Sequence, residues 1–346
     1  MRTVVPHNRL SHDAAEVAAV SAVVGSGRWA GGPTVLELER VLAAQLGRKH
    51  AAAVGSGLGA LRLSLLALSV GRDDEVIIPA YSCVALANAV LACGARPIVA
   101  DVTPGDWNID PSDVQKAIGP HTRAIIAVHT FGLPAPVADL KALGIPVIED
   151  CAHGIAEARM GQQADIAITS FYATKLIGAG EGGAVLSDRS DVDEFVRQSR
   201  DYGDQHPDSR RLNDKMTDVV AAIAVCQLRK LDNFVARRSM LAERYHQALQ
   251  PLCDKGYIRL PYMSQARVWY RYAVENLAPD LDLIGRLSER GVSAAQPVWD
   301  WRRQEGRRCP AASDAYRNLV SLPLYPTLSF EEQSAVIDAM FNILAA

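Results

Sequence analysis

The sequence lacks two features that would place the protein in a membrane or on a nucleic acid. None of its 346 residues falls in a run of about 18 apolar residues, and the N-terminal MRTVVPHNRLSHDAAEV has no apolar segment of the signal-peptide kind. Lys and Arg number 36 against 39 Asp and Glu, without the clustered basic excess that nucleic-acid binding requires. We therefore expect a cytoplasmic protein with no membrane span and no nucleic-acid partner.

Paired cysteines and metal-ligand spacings are also missing. The six cysteines are widely separated, with no CxxC pair and no Cys/His ligand spacing: Cys83, Cys93, Cys151, Cys226, Cys253 and Cys309. Such residues are expected to be reduced and mostly buried thiols. No metal site is therefore predicted.

Short and continuously apolar strands alternate with helical patterns between about residues 50 and 190. The predicted strands are Ala51–Val54, Glu75–Pro79, Pro97–Val102, Arg123–His129, Ile145–Asp150, Ile166–Phe171 and Gly183–Ser187. The predicted helices are Gly59–Leu68, Val84–Ala92, Pro111–Ala117 and Val137–Leu143. This alternation predicts an α/β fold with a mostly parallel sheet between helices. Ligands of such sheets bind beyond the carboxyl ends of the strands.

The pattern changes in the second half of the chain. It becomes helical over Val192–Arg200 and again over Thr217–Tyr245. A smaller α+β part follows, with predicted strands Tyr270–Asn276 and Leu322–Pro326 and predicted helices Leu283–Arg290 and Phe330–Leu344. We expect a large domain with an N-terminal arm over residues 1–245 and a small α+β domain over residues 246–346.

A lysine follows one of the predicted strands, Ile166–Phe171, and an acid ends the strand before it. Lys175 closes Ser170-Phe-Tyr-Ala-Thr-Lys175, and Asp150 ends the preceding strand 25 positions earlier. An amine forms a Schiff base with an aldehyde, and a carboxylate keeps a pyridine nitrogen protonated, so this pair suits pyridoxal phosphate (PLP). Taken alone, Lys175 would be a surface lysine and Asp150 a helix N-cap.

A glycine-rich turn follows the first predicted strand. In Val54-Gly-Ser-Gly57-Leu58 the chain passes from strand to helix, where backbone N–H groups and the helix dipole favour a phosphate. The hydroxyl of Ser170 could bind the same phosphate. Many α/β proteins have such a turn without a ligand, so the turn alone is weak evidence.

Ordered motifs extend from Trp29 to about Asp232 and continue weakly beyond. They are Trp29-Ala-Gly-Gly-Pro33, Leu36-Glu-Leu-Glu39, Ser56-Gly-Leu-Gly-Ala-Leu61, Asp74-Glu-Val-Ile-Ile-Pro79, Val128-His-Thr-Phe-Gly132, Glu149-Asp-Cys-Ala-His153, Ser170 to Lys175, Gly180-Glu-Gly-Gly183 and Asn213-Asp-Lys-Met-Thr217 with Ala221-Ala222 and Gln227-Leu228. With them the chain resembles the DegT/DnrJ/EryC1/StrS family of PLP-dependent aminotransferases. The resemblance implies fold type I, with a seven-stranded sheet, and PLP or its amine form as cofactor.

The resemblance also implies roles for individual residues. Lys175 would form the Schiff base and then move the substrate proton, and Asp150 would pair with the pyridine nitrogen. His153 would lie near the ring hydroxyl; a packed core histidine is the alternative. The phosphate would be held by Gly57, Leu58, Ser170 and, across a homodimer, Asn213. For Asn213 the alternative is an ordinary loop turn.

The sequence departs from the family pattern around the cofactor. Leu58 stands where the phosphate turn has Thr, so one hydroxyl contact is lost while the backbone donors remain. Cys83 occupies the position where the family often stacks an aromatic ring on the cofactor, and a cysteine does not stack in that way. Tyr81 could shift to help. The lysine-to-histidine change of the family's sugar dehydratases is absent, which favours transamination.

The C-terminal substrate segment departs as well. Where the family usually reads HYPxPLHxQ, this chain has Ala294-Ala-Gln-Pro-Val-Trp-Asp-Trp301, with no histidine. Trp299, Trp301, Arg302 and Arg303 are candidate contacts of the acceptor. The short cluster Arg302, Arg303, Arg307 and Arg308 is either a solvated loop or a contact of a phosphate or carboxylate.

Transamination is the expected activity. An amino acid, glutamate or glutamine, would give its amino group to a keto-sugar, expected to be nucleotide-linked, in amino-sugar, polysaccharide or secondary-metabolite biosynthesis. The alternatives are a cyclitol or other non-sugar ketone as acceptor, or dehydration, epimerisation or decarboxylation on the same cofactor. A regulatory protein that keeps the fold without turnover is a further alternative, against which the intact Lys175 and Asp150 pair argues.

Overall fold

The computed structural model describes residues 4–156, 160–203, 208, 210–278, 280–302 and 307–345. Within these residues the main sheet has seven strands: β1 (His50–Val54), β2 (Glu75–Pro79), β3 (Arg96–Ala100), β4 (Thr122–Val128), β5 (Val147–Asp150), β6 (Ile166–Ser170) and β7 (Gly183–Ser187). Their order is β1-β7-β6-β5-β4-β2-β3. Only β7 runs antiparallel to its neighbours β1 and β6. The predicted α/β fold with a mostly parallel seven-stranded sheet is confirmed.

Helices cover both faces of this sheet. Their bounds are α1 (Ala14–Ser26), α2 (Pro33–Gln45), α3 (Gly57–Ala67), α4 (Ala85–Ala92), α5 (Pro111–Ala117), α6 (Val137–Lys141), α7 (Ser190–Ser199) and α8 (Asp218–Arg229). One apolar layer packs α2 and α8 on the sheet, and another packs α3, α4 and α7 on it. Because both faces are covered, the strands are continuously apolar instead of alternating.

A second, three-stranded antiparallel sheet lies in the C-terminal part. It comprises β8 (Ile258–Arg259), β9 (Tyr272–Asn276) and β10 (Leu319–Leu322), in the order β10-β9-β8. The accompanying helices are α9 (Leu231–Asp254), α10 (Leu283–Glu289), α11 (Pro310–Asn318) and α12 (Phe330–Leu344). Helix α9 runs without a break through residue 245, and Tyr245 packs in the core beneath this second sheet. The division of the chain at residue 245 stays a prediction.

Two predicted elements differ from the structure by more than one or two residues at an end. The strand expected over Leu322–Pro326 lies earlier, over Leu319–Leu322, because Pro323 and Pro326 have no N–H to donate to a ladder. The helical stretch expected over Thr217–Tyr245 is two helices, α8 and α9, that meet at Lys230.

Edge strand β1 is held by charged side chains on its open side. The buried carboxylate of Glu39 accepts the Ala53 N–H at 2.9 Å, while Arg197 and Arg200 donate to the carbonyls of Ala51 and Ala53 at 2.7 Å each. Arg197 and Arg200 also pair with Glu39. These bonds satisfy backbone groups that an edge strand would leave open, and they fix the end of β1 from which the glycine turn leaves.

Candidate active site

The glycine turn joins the end of β1 to the N-terminus of α3. Ser56 caps this helix, because its Oγ accepts the Gly59 N–H at 2.9 Å. The first N–H groups of the helix, those of Gly57 and Leu58, have no acceptor in the preceding turn. A Cβ on residue 57 would lie 2.8 Å from the Cβ of Ser170. Glycine therefore allows the helix N-terminus and the Ser170 hydroxyl to lie side by side.

Asn213 lies on a segment fastened to the same turn. The carbonyl of the next residue, Asp214, accepts the Gly55 N–H at 2.7 Å, and its carboxylate pairs with Arg62 at 2.6 Å. The Asn213 side chain itself is exposed. The backbone thus places Asn213 beside the phosphate turn and leaves its amide accessible from outside the chain.

Lys175 lies in the loop between β6 and β7. The loop is closed by bonds from Phe171 N–H to the Gly182 carbonyl and from Ala173 N–H to the Gly180 carbonyl, at 2.9 and 3.0 Å. Gly180 and Gly182 adopt φ of 91° and 128°, which favour glycine. Lys175 is partly buried, with Nζ 5.0 Å from the centroid of the Tyr270 ring.

Asp150 is the last residue of β5, the neighbour of β6 in the sheet, and His153 follows three positions later. Asp150 is buried, with Oδ1 accepting the Ala152 N–H at 2.9 Å; its Oδ2 accepts no bond from the described residues. Burial raises the pKa of this carboxyl, and the bond from the Ala152 N–H and the charge of Lys175 act against that rise. Asp150 Oδ1 is therefore engaged by the turn, and Oδ2 is available to a ligand.

The His153 ring is stacked and lacks a partner on one nitrogen. It lies 4.1 Å from the Tyr270 ring at an interplanar angle of 12°, and its Nδ1 is buried with no hydrogen-bond partner among the described residues. Burial, followed by the charges of Lys175 and Arg271, holds the pKa of His153 well below its usual range. The neutral ring packs as a core histidine does and still offers a nitrogen to a ligand.

Tyr270, Thr174 and Arg271 complete the surroundings of the lysine, and sequence reasoning missed them. Burial would raise the pKa of Tyr270, but the charges of Lys175 and Arg271 and a hydrogen bond with Thr174 lower it to about 8. Tyr270 and Arg271 precede β9, about a hundred positions after Lys175 in the chain. The sequence offered one local signal for them, which is the charged Arg271 near the start of the apolar strand predicted over Tyr270–Asn276.

A buried pair supports the loops on this side of the sheet. His129 Nε2 donates to Glu149 Oε1 at 2.9 Å, because its Nδ1 already accepts the Ala135 N–H. Burial acts to raise the pKa of Glu149, but the bonds from His129, Gly161 and Ala164 hold it below its usual range. Cys151 lies within 4.8 Å of both groups. Since both His129 nitrogens are engaged, the cluster is a hydrogen-bonded support.

The remaining predicted site residues lie on the β2 side. Cys83 is exposed in the loop before α4, whereas Tyr81 is buried among Trp107, Phe131 and Tyr316. Trp301 donates to the Ser82 carbonyl at 2.6 Å. The candidate acceptor contacts Trp299 and Arg302 are, respectively, exposed and paired with Asp300. Arg303 lies outside the described residues.

These residues fit PLP. Asp150 Oδ2 and His153 Nδ1 are polar atoms without partners among the described residues, and the Gly57 and Ser170 cradle would be filled by a Cβ. Lys175 supplies the amine on the neighbouring loop. A mostly parallel seven-stranded sheet with this set at the carboxyl ends of its strands defines a PLP-dependent enzyme of fold type I.

Comparison with known proteins identifies the family. The sequence model of the DegT/DnrJ/EryC1/StrS aminotransferase family matches residues 11–341. The chain belongs to this family and is a PLP-dependent aminotransferase, as the sequence predicted. Among the described residues, no helix is both long and apolar enough to cross a bilayer.

One named relative and two solved structures match most of the chain. The 3-oxo-glucose-6-phosphate:glutamate aminotransferase of Bacillus subtilis (strain 168) is 31% identical over 94% of this chain and 79% of its own length. The crystal structure of NtdA from Bacillus subtilis with bound cofactor PMP matches with a TM-score of 0.93 and 30% identity, over 100% of this chain and 86% of that one. The aminotransferase TlmJ from Streptoalloteichus hindustanus matches with a TM-score of 0.91 and 29% identity, over 99% of both chains.

Proposed function

We propose that this aminotransferase moves an amino group from glutamate or glutamine to a keto-sugar in the biosynthesis of an amino sugar. The observation that carries the proposal is the Lys175, Asp150 and His153 group beside the phosphate turn, on a chain 31% identical to an aminotransferase named for 3-oxo-glucose-6-phosphate and glutamate. A sugar acceptor fits the family better than an unrelated ketone does, because that relative is matched over 94% of this chain.

The proposed roles follow from where the side chains lie. When bound, PLP supplies an aldehyde that takes the amino group and a ring that withdraws electrons from the reacting carbon. Lys175 Nζ would hold the cofactor through its aldehyde and would move the proton of the substrate carbon. Asp150 Oδ2 would hold the ring nitrogen in its protonated form, and His153 Nδ1 would bond the ring hydroxyl. Gly57, Leu58 and Ser170 bind the phosphate.

A homodimer with shared sites is part of the proposal. Three apolar side chains near the phosphate turn and the lysine loop are exposed: Leu58, Tyr172 and Leu212. Together with the accessible amide of Asn213, they fit a surface that a second copy of the chain covers. Asn213 of one protomer would then bind the phosphate held by the turn of its partner.

A half-reaction tests the proposed activity. L-Glutamate added to the PLP-loaded enzyme should convert the absorbance of the bound aldehyde form into that of the amine form, and 2-oxoglutarate should appear in equal amount. Lys175→Ala should not convert, because the amine that moves the proton is gone. A keto-sugar should then restore the original spectrum. If glutamate, glutamine and other amino acids all leave the wild-type spectrum unchanged, the proposal is wrong.

A further inference from the structure

Arg271 is a cation beside the candidate active site that no acid neutralises. It lies just before β9, and among the described residues no carboxylate pairs with its guanidinium. Some arginines elsewhere have a carboxylate partner, as Arg302 has Asp300 and Arg307 has Asp113. The buried Arg238 has backbone carbonyls as acceptors instead. A partly buried arginine usually has an anionic partner. The missing partner is therefore a candidate for a ligand.

The N-terminal segment and β10 hold the guanidinium in place. Arg271 lies 3.1 Å from His7 Nε2, which is also 2.9 Å from Ser321 Oγ. Because a guanidinium only donates, Nε2 is the acceptor and His7 is neutral. Burial and then the charge of Arg271 lower the pKa of His7 to about 4, in keeping with that assignment. The contact positions Arg271 without cancelling its charge, and most of its N–H donors stay available.

Arg271 and Lys175 lie on the same small region of the molecule. The Arg271 guanidinium carbon is 5.2 Å and Lys175 Nζ is 5.0 Å from the centroid of the Tyr270 ring. Arg271 and Thr174, the neighbour of Lys175, line one cleft with His7 and Tyr270. A substrate that reacts at Lys175 is therefore within reach of Arg271.

Two unpartnered polar atoms lie within the influence of the same charge. The Tyr81 hydroxyl and His153 Nδ1 are buried and have no hydrogen-bond partner among the described residues. The charge of Arg271 acts on both side chains. The charge of Arg271 and the unpaired polar atoms of Tyr81 and His153 suit a polar, negatively charged ligand better than an apolar one.

We propose that Arg271, positioned by His7 and Ser321, is the oxyanion-binding residue of the substrate pocket. Its ligand is a carboxylate of the amino donor or a phosphate of the sugar acceptor, both of which a guanidinium fork binds through two parallel bonds. Donor and acceptor occupy the pocket in turn, so one arginine can serve both. This inference rests on the proposed function and names the chemical group by which its substrates are recognised.

Binding to the PLP-loaded enzyme, measured by calorimetry without turnover, tests the assignment. The probes are glutarate, which has the carboxylates of glutamate but no amino group, glucose 6-phosphate, and neutral glucose. Arg271→Gln should weaken binding of at least one anionic probe by about tenfold or more, with glucose unaffected. Arg271→Lys, which keeps the charge and loses the fork, should lie between. Arg317→Gln is the matched control, since Arg317 is an exposed arginine paired with Asp314 on α11.

The pattern of loss identifies the ligand. A loss confined to glutarate assigns Arg271 to the donor carboxylate, a loss confined to glucose 6-phosphate assigns it to the acceptor phosphate, and loss of both assigns it to each in turn. Unchanged binding of both anions by a folded, PLP-loaded Arg271→Gln enzyme would overturn the inference, as would equal weakening of glucose or no binding of either anion by the wild type. If the wild type binds the anions but glutamate leaves its spectrum unchanged, the proposed function fails while the assignment of Arg271 stands.

Discussion

At the scale of single residues, burial and charge act in opposite directions around Lys175. Burial raises the pKa of Asp150, and the bond from the Ala152 N–H and the positive charge of Lys175 restrain that rise. For His153, burial and the same lysine act together, so its pKa falls well below the usual range. The acid and the histidine are therefore suited to different proposed tasks. The acid holds a proton on a ring nitrogen, and the neutral imidazole exchanges a hydrogen bond with a hydroxyl.

Gly57→Ala should weaken cofactor binding without weakening the helix. The new Cβ would lie 2.8 Å from the Cβ of Ser170, so one of these two proposed phosphate-binding residues must move. Overpacking of this kind costs about 1–3 kcal/mol, and we expect PLP to bind about tenfold more weakly or worse. Alanine is a better helix former than glycine, so the loss should not come from α3.

Titration of the apo-protein with PLP, followed by absorbance, measures this effect. Gly71→Ala is the matched control, because a Cβ at residue 71 meets nothing within 4 Å. The control should bind PLP as the wild type does. Equal affinity of Gly57→Ala and the wild type would show that the phosphate is held elsewhere.

At the scale of elements, a residue distant in sequence determines where α2 begins. The buried carboxylate of Asp218, the first residue of α8, accepts the N–H groups of Gly32, Thr34 and Val35 at 2.7–3.3 Å. Gly32 stands at the N-cap position and makes no side-chain bond of its own. One side chain thus caps a helix that begins about 180 residues earlier, and it joins α2 to α8.

Asp218→Ala should destabilise the protein by about 2 kcal/mol or more, because one buried and two partly buried N–H groups lose a charged acceptor. Asp110→Ala is the comparison, since Asp110 caps only its own helix, α5, through the Ser112 N–H at the surface. That loss should be about 1 kcal/mol. The midpoint of urea unfolding, with an unchanged slope, measures both. A smaller loss for Asp218→Ala than for Asp110→Ala would contradict the capping role.

The elements also show what the sequence could predict and what it could not. Strands β2 and β7 have the predicted bounds, since uninterrupted apolar runs between turns depend on nothing outside themselves. The break at Lys230 was not predicted, because neither glycine nor proline marks it. The strand misplaced at Leu322–Pro326 carried two prolines that pointed to its absence.

The residues of the candidate site likewise divide into those that the sequence could predict and those that it could not. Asp150 at the end of one strand and Lys175 in the loop after the next were predictable, because both places follow from the chain's own pattern. Arg271 and His7 are brought together across 264 positions, and no periodicity marks such a contact. Their pairing results from the way the N-terminal segment pairs at Val5 with Val292 and then passes β10. Long-range packing of this kind is decided by the whole fold.

At the scale of the whole molecule, the proposed dimer makes each site depend on two chains. Within one chain, Lys175 and Asp150 belong to the same site, because the charge of Lys175 acts on the Asp150 carboxyl. Asn213 is instead exposed, and in the proposal it serves the partner's phosphate. Two variants that are each inactive can therefore restore one working site when their chains are mixed.

Lys175→Ala and Asn213→Asp provide that test, since a carboxylate at position 213 would repel the phosphate. In a mixed dimer, the Lys175→Ala chain lends its intact Asn213 to the intact lysine of the other chain. Random exchange of equal amounts should restore about a quarter of the wild-type rate of the glutamate half-reaction. Mixing Lys175→Ala with Asp150→Asn is the control and should restore nothing, because both changes fall in the site of their own chain. If the first mixture also stays inactive after subunit exchange has been demonstrated, Asn213 acts within its own chain and the shared site is refuted.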